Sequence, residues 1–374
     1  MLVIGPTLHF GDRFPRPLLR PYFVAREDEF APSFLATYYN LPQWLNRMIL
    51  YKLDISPVMY AFRAYPMRQA HVFTTNQALR EVLQLEGNPE LGTVVQESWL
   101  RNSADLLGIP INRLKSMSIK DFMNWRSLKV LQQEADPSML QKNLCRRMRL
   151  AQSRVIRRQL EYFANLLNRG KTVFLAPEGQ LSPDGKPCPI RGSLHRLVKM
   201  SRETVKILPM NISYDFMTAG RLKIILNIGR EIPDIKGLPK AELESLVKDS
   251  LLKLAVVTMS QIGSYSLYHE ATRGNNILLQ ENWKKELVSL AQKIEKAGFV
   301  VNKALLTEQT FYRNCRDFLG YCLRNGQLTT ASPGKLQINR EKILDTSSRG
   351  YIPNPVYYCH NEFKSLVGSD FPLS

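Results

Sequence analysis

Apolar and polar positions along this chain fall into blocks that read in turn as helix, strand and loop. The clearest block is 151–168. There Val155, Gln159, Tyr162, Phe163, Leu166 and Leu167 recur at three- and four-residue spacing, while Arg154, Arg157, Arg158 and Glu161 mark the wetter side. That period predicts an amphipathic helix, and Gly170 predicts its end. An apolar run of strand length, 172–176, follows at once. A short helix-to-strand step of this kind is the repeating unit of a layered α/β sheet. A second step comes next: 193–200 predicts a helix, 205–212 a buried strand with Pro209 at an edge or bulge, and 222–228 a further strand. Upstream, 22–25 also reads as a strand.

Residues 34–150 are mostly helical in pattern but are broken at Pro42, Pro57, Pro66, Pro89, Pro110 and Pro137. The span of about 34–145 is therefore expected to be a helical insertion between sheet strands, with Trp44, Leu45, Met48 and Ile49 on one apolar face. Residues 241–262 predict one helix, and the composition shifts at 271–276. Two domains are expected: 1–275, α/β with the insertion, and 276–374, smaller. In the second, 281–297 and 306–323 predict helices. Residues 327–330 and 335–338 predict strands around the Ser332-Pro333-Gly334 turn. Two helices and a hairpin resemble a winged-helix shape. The fold class expected is α/β: a layered, mostly parallel sheet with helices, a large helical insertion and a small C-terminal α/β unit.

Charge changes the picture of partners. The chain carries 51 Lys and Arg against 33 Asp and Glu, a formal net charge of +18. Residues 141–210 hold 15 of the cations and only 4 of the acids. Such a balance implies nucleic acid, an anionic membrane surface or a phosphorylated substrate. No zinc-finger spacing, RNP-like aromatic strand or clean basic helix is present, and the C-terminal hairpin has few cations, so no nucleic acid is expected. Basic residues lie instead among apolar ones, which fits an anionic bilayer. No run reaches the length of a spanning helix. The five cysteines form no CxxC, which points to a reducing compartment. A cytoplasmic protein held peripherally on a membrane is expected. The five histidines are scattered without metal-ligand spacing, and neither a metal nor a bound cofactor is expected.

Candidate chemistry lies in 171–192, KTVFLAPEGQLSPDGKPCPIRG. A buried strand that ends in Pro177-Glu178-Gly179 and leads to Arg191-Gly192 reads as an anion-handling crevice of an α/β fold. It reads equally as a strand followed by an ordinary surface loop.

These residues resemble the glycerolipid acyltransferases, the family of lysophosphatidate and glycerol-phosphate acyltransferases. The family's third block, Phe-Pro-Glu-Gly-Thr-Arg-Ser, is similar to Ala176-Pro177-Glu178-Gly179-Gln180-Leu181-Ser182. Its fourth, an apolar-Val-Pro-Val pattern, is similar to Ile207-Leu208-Pro209-Met210-Asn211-Ile212. A second block of apolar residues ending in arginine is matched by distance at Arg146, Arg147 and Arg149, and by local pattern at Tyr65-Pro66-Met67-Arg68. The resemblance implies acyl transfer from acyl-CoA or acyl carrier protein, as co-substrate, to glycerol 3-phosphate or a lysophospholipid. It implies that Arg147, Arg149, Glu178, Gly179 and Arg191 form the substrate-binding crevice. In this reading Glu178 fixes the loop and arginine binds phosphate.

The family's first block, His-x-x-x-x-Asp, supplies its general base. This chain has His9 and Asp12, a spacing of three, and neither His71 nor His195 is followed by Asp at the fifth place. Catalytic residues are left unknown. The chain is expected to be poorly active, either because the coding sequence begins late or because it is a non-catalytic, membrane-lipid-binding homologue. A basic nucleic-acid-binding protein is the remaining alternative. Gln180 and Leu181 also depart from the family's Thr-Arg.

Overall fold

A computed structural model of the chain describes residues 2–5, 21–30, 35, 53–68, 73–135, 137–179, 182–202, 205–218, 222–233, 235–346 and 354–368. Two compact units divide it. The first holds Met1–Val3, Ala176–His195 and Lys206–Ser374; the second holds Ile4–Leu175 and Arg196–Val205. The protein is mixed α/β with a small, parallel three-strand sheet. The expected apolar face at 44–49 lies outside the described residues.

After a short strand β1 (Leu2–Gly5), the second unit places β2 (Tyr22–Arg26) between β3 (Ala64–Met67) and β6 (Val173–Leu175), all parallel. Phe23 lies opposite both Ala64 and Phe174, and its ring meets Phe174 edge-on at 5.2 Å. The span 34–145 is thus not wholly helical: β3 interrupts it. Pro66 removes a ladder donor, and β3 accommodates it as an edge strand. Arg63, at φ 57°, makes the turn into it.

Helix α1 (Thr75–Glu86) opens on a capping box in which Thr74 and Gln77 satisfy each other's backbone N–H groups. It packs into a separate apolar core with Leu91, Leu114, Phe122 and Leu131. The two-residue strands β4 (Phe73–Thr74) and β5 (Glu134–Ala135) pair antiparallel beside it. Helix α2 (Lys142–Asn168) begins nine residues before the expected start. No glycine or proline interrupts 138–169, and Leu144 and Met148 extend the buried stripe backwards. Arg146, Arg147 and Arg149 therefore belong to a helix.

Helix α3 (Ser193–Met200) spans the boundary at His195, and in the first unit β7 (Lys206–Asp215) and β8 (Lys223–Ile228) follow. These two strands pair antiparallel, with Ile212 opposite Leu226, so not all of the expected strands run parallel. The connection 216–222 is long enough for a hairpin, whereas a parallel crossover needs about a dozen residues or more. The single helix expected at 241–262 is two: α4 (Lys240–Lys253) and α5 (Met259–Thr272). Thr258 restarts the helix with a capping box to Gln261, and the Val257 N–H donates to the Val300 carbonyl instead of continuing α4.

Helices α6 (Gln280–Lys296) and α7 (Glu308–Arg324) follow, then the hairpin of β10 (Leu328–Ser332) and β11 (Lys335–Ile338). β9 (Ile277–Leu279) pairs with β11 to complete a three-stranded antiparallel sheet. These, with α8 (Pro355–Val367), enclose a core around Trp283, Phe311, Phe318 and Phe363. Ile262, Tyr265 and Leu267 of α5 belong to that same core, so the change at 271–276 is a turn within it.

Candidate functional site: the Pro-Glu-Gly turn

The apolar residues Val173 and Leu175 are buried in β6, and the chain then turns sharply. Pro177 fixes the bend. Gly179, at φ 67°, closes it by donating from its N–H to the Ala176 carbonyl at 3.1 Å. The Gly179 amide is thus spent on the turn. Glu178 locks the loop onto itself: its carboxylate accepts from the Cys188 N–H at 3.1 Å. Arg191 binds the same turn twice, its N–H donating to the Pro177 carbonyl at 2.9 Å and its Nε to the Glu178 carbonyl at 3.1 Å. Burial pushes the Glu178 carboxyl above the usual carboxylate range, against the Cys188 N–H and the positive charge of Lys248. Glu178 thereby fixes the loop.

The far side of the loop docks on α8. The Asn361 amide donates to the Asp184 carbonyl at 2.9 Å. Gly185, at φ 86°, approaches so closely that an added Cβ would lie 2.1 Å from the Tyr358 carbonyl oxygen. Only glycine fits there, for both reasons.

The other candidate arginines have partners or exposure of their own. Arg147 is exposed on α2 and pairs with Glu86, and Arg149 is exposed nearby. Both belong to the second unit, whereas Glu178, Gly179 and Arg191 belong to the first. Arg68, the alternative second-block arginine, directly follows β3 and so lies at the carboxyl end of a parallel strand. Its guanidinium pairs with Glu27 and, at 3.0 Å, with Glu81. Its N–H donates to Gln159 of α2, and Gln152 of the same helix donates to Glu81 at 3.0 Å. Burial raises the Glu81 pKa while Arg68 pulls it down. This network ties β3 to α1 and α2.

Sequence reasoning missed two lysines. A Cβ at Gly192 would meet Lys240 Cε at 3.2 Å, and the Lys248 charge acts on Glu178. Lys240, Glu244 and Lys248 recur every four residues on α4, and that spacing was the available signal. Glu244 lies 3.7 Å from the Lys240 Nζ. His195 sits half-buried on α3, one turn beyond Arg191. His9, Asp12, His71, Gln180 and Leu181 lie outside the described residues. Among the described residues no cluster of His, Cys, Asp or Glu could hold a metal ion, and no helix is long and apolar enough to cross a membrane.

No protein-family model, curated protein or solved structure matches this chain.

Proposed function

We propose that the chain belongs to phospholipid synthesis as an acyltransferase-like protein with a layered α/β core. It would move an acyl group from acyl-CoA or acyl carrier protein to the hydroxyl of glycerol 3-phosphate or a lysophospholipid at an anionic membrane surface. One observation supports this most: β3 and β6 flank β2 in parallel, β3 leads directly into Arg68, and β6 leads through Ala176 into Pro177-Glu178-Gly179. Two of the blocks that resemble glycerolipid acyltransferases therefore follow the carboxyl ends of parallel strands. That is where open α/β sheets bind ligands.

In the reaction the acceptor hydroxyl attacks the thioester carbonyl. A C–O bond forms, the C–S bond breaks, the hydroxyl proton passes to a base and the thiol leaves protonated. Arginine suits the acceptor phosphate because its planar fork makes paired hydrogen bonds. Residues 1–374 contain no His-x-x-x-x-Asp, which favours weak turnover or a lipid-binding role without catalysis. Losing a general base costs roughly 10²–10⁴-fold in rate.

Calorimetric titration with glycerol 3-phosphate and lysophosphatidate, beside a transfer assay with acyl-CoA and acyl carrier protein, tests the reading. Acceptor binding should fall about tenfold or more in Arg191→Ala, as for loss of a charge-assisted contact. Binding without transfer would select the lipid-binding homologue. Tight binding of duplex or single-stranded nucleic acid, with no acceptor binding, would overturn both.

A further inference from the structure

The β7–β8 hairpin is built inside out. Its register sets Met210 against Ile228, Ile212 against Leu226 and Tyr214 against Ile224 on one face. On the other, polar but for Ile225, it sets Asn211 against Asn227, Ser213 against Ile225 and Asp215 against Lys223. The polar face is the one that meets the protein. Asn211 and Asn227 donate to the carbonyls of Leu251 and Leu254, Ser213 accepts from the Val256 N–H, and Asp215 accepts from Ser260. The apolar face is left open: Leu222, Ile224, Leu226 and Ile228 are 52, 61, 51 and 45% exposed. Antiparallel sheets with one wet face normally alternate the other way. A contiguous exposed apolar patch marks an interaction site.

We propose that this outer face of β7–β8 seats the protein on an anionic phospholipid bilayer. The inference rests on the reading above, in which the acceptor is held at a membrane. Charge favours this occupant. The alternation that exposes the four aliphatic side chains continues to an exposed cation, Arg230, and no acidic residue occupies the alternate positions 210–214 or 222–230. The chain as a whole is +18. Tyr214, 44% exposed beside the ladder, is a residue type that gathers at membrane interfaces. Size argues against a second copy. Eight residues of rise give about 27 Å of length, and two strands about 10 Å of width, or roughly 270 Å². A standard interface takes about 800 Å² from each partner.

Flotation with phosphatidylcholine vesicles, with and without phosphatidylglycerol, tests the proposal on the full chain and on Leu226→Asp and Ile224→Ser. The full chain should float with anionic vesicles, and both variants should bind them roughly tenfold less or weaker, with unchanged circular-dichroism melting. Equal binding by the variants overturns the face, as does a full chain that stays unbound. A full chain that light scattering shows to be a dimer, made monomeric by Leu226→Asp, also overturns it in favour of a second copy. Glycerol 3-phosphate titration without lipid keeps the two readings apart. Acceptor binding without flotation removes the face and leaves the acceptor site. Flotation lost in the variants, with no acceptor binding by the full chain, supports the face and removes the acceptor reading.

Discussion

Two antiparallel hairpins of the first unit turn opposite faces to the protein. In β10–β11 the side chains that pack inward are apolar: Leu328, Leu336 and Ile338 are all but fully buried, while Thr329, Thr330 and Gln337 are exposed. In β7–β8 the inward side chains include Asn211, Ser213, Asp215 and Asn227, each hydrogen-bonded, and the aliphatic ones face out. The first hairpin is held by removing apolar area from water. The second is fastened by polar contacts to the end of α4 and the start of α5. Alternation along a strand reveals that it has two different faces; what each face meets depends on the partners that the rest of the chain supplies.

The largest effect separating the two is expected at Leu336, which is 1% exposed in the core under α5 and α7. Leu336→Ala should cost about 2–5 kcal/mol, the range for truncating a buried leucine, read as a lower urea midpoint at unchanged slope. A cost below about 1 kcal/mol would mean that the site collapses freely or is wet, and the contrast with β7–β8 would lose one side.

A middle-sized effect is expected at Asp215. Its Oδ1 accepts from both the N–H and the Oγ of Ser260, at 3.0 and 2.5 Å, at the start of α5. The carboxylate is 1% exposed. Asp215→Ala leaves those donors unpaired in the interior and should cost about 1–3 kcal/mol. Ser260→Ala combined with it should be clearly less than additive, since the two side chains share one interaction. Full additivity would show that the inward face is not fastened as described.

The same logic explains what the sequence made legible. The runs at 172–176 and 205–212 announced strands because β-branched and aliphatic residues cluster there between turn signals. β3 stayed hidden because four residues containing Pro66 carry too little period. The break between α4 and α5 was masked by Leu254-Ala255-Val256-Val257, which extends the apolar stripe through the very residues that leave the helix; the signal was the Thr258–Gln261 cap. At the candidate site, Glu178 and Arg191 were legible from the loop itself. Distance along the chain pointed to Arg147 and Arg149 and local pattern to Arg68; that Arg68 directly follows a strand stayed hidden with β3. Lys240 and Lys248 lay in a helix read only for its leucines.

The smallest stability effect, and the one that cuts the comparison most finely, is expected at Ile224. This side chain is 61% exposed on the outer face of β8, opposite Tyr214. Thr preserves β-branching and strand preference while replacing one methyl-bearing arm by a hydroxyl. With water already around the side chain, Ile224→Thr removes little buried area and leaves no polar group unsatisfied. It should change unfolding free energy by no more than about 0.5 kcal/mol, as surface substitutions do. Leu336→Thr, by contrast, leaves a cavity and places a hydroxyl in the core, and should cost at least as much as Leu336→Ala. Urea titrations of the two threonine variants compare the faces directly. If Ile224→Thr lowered stability by about 2 kcal/mol or more, the outer face would have to be packed in solution, and the two hairpins would differ in what covers them, not in whether they are covered.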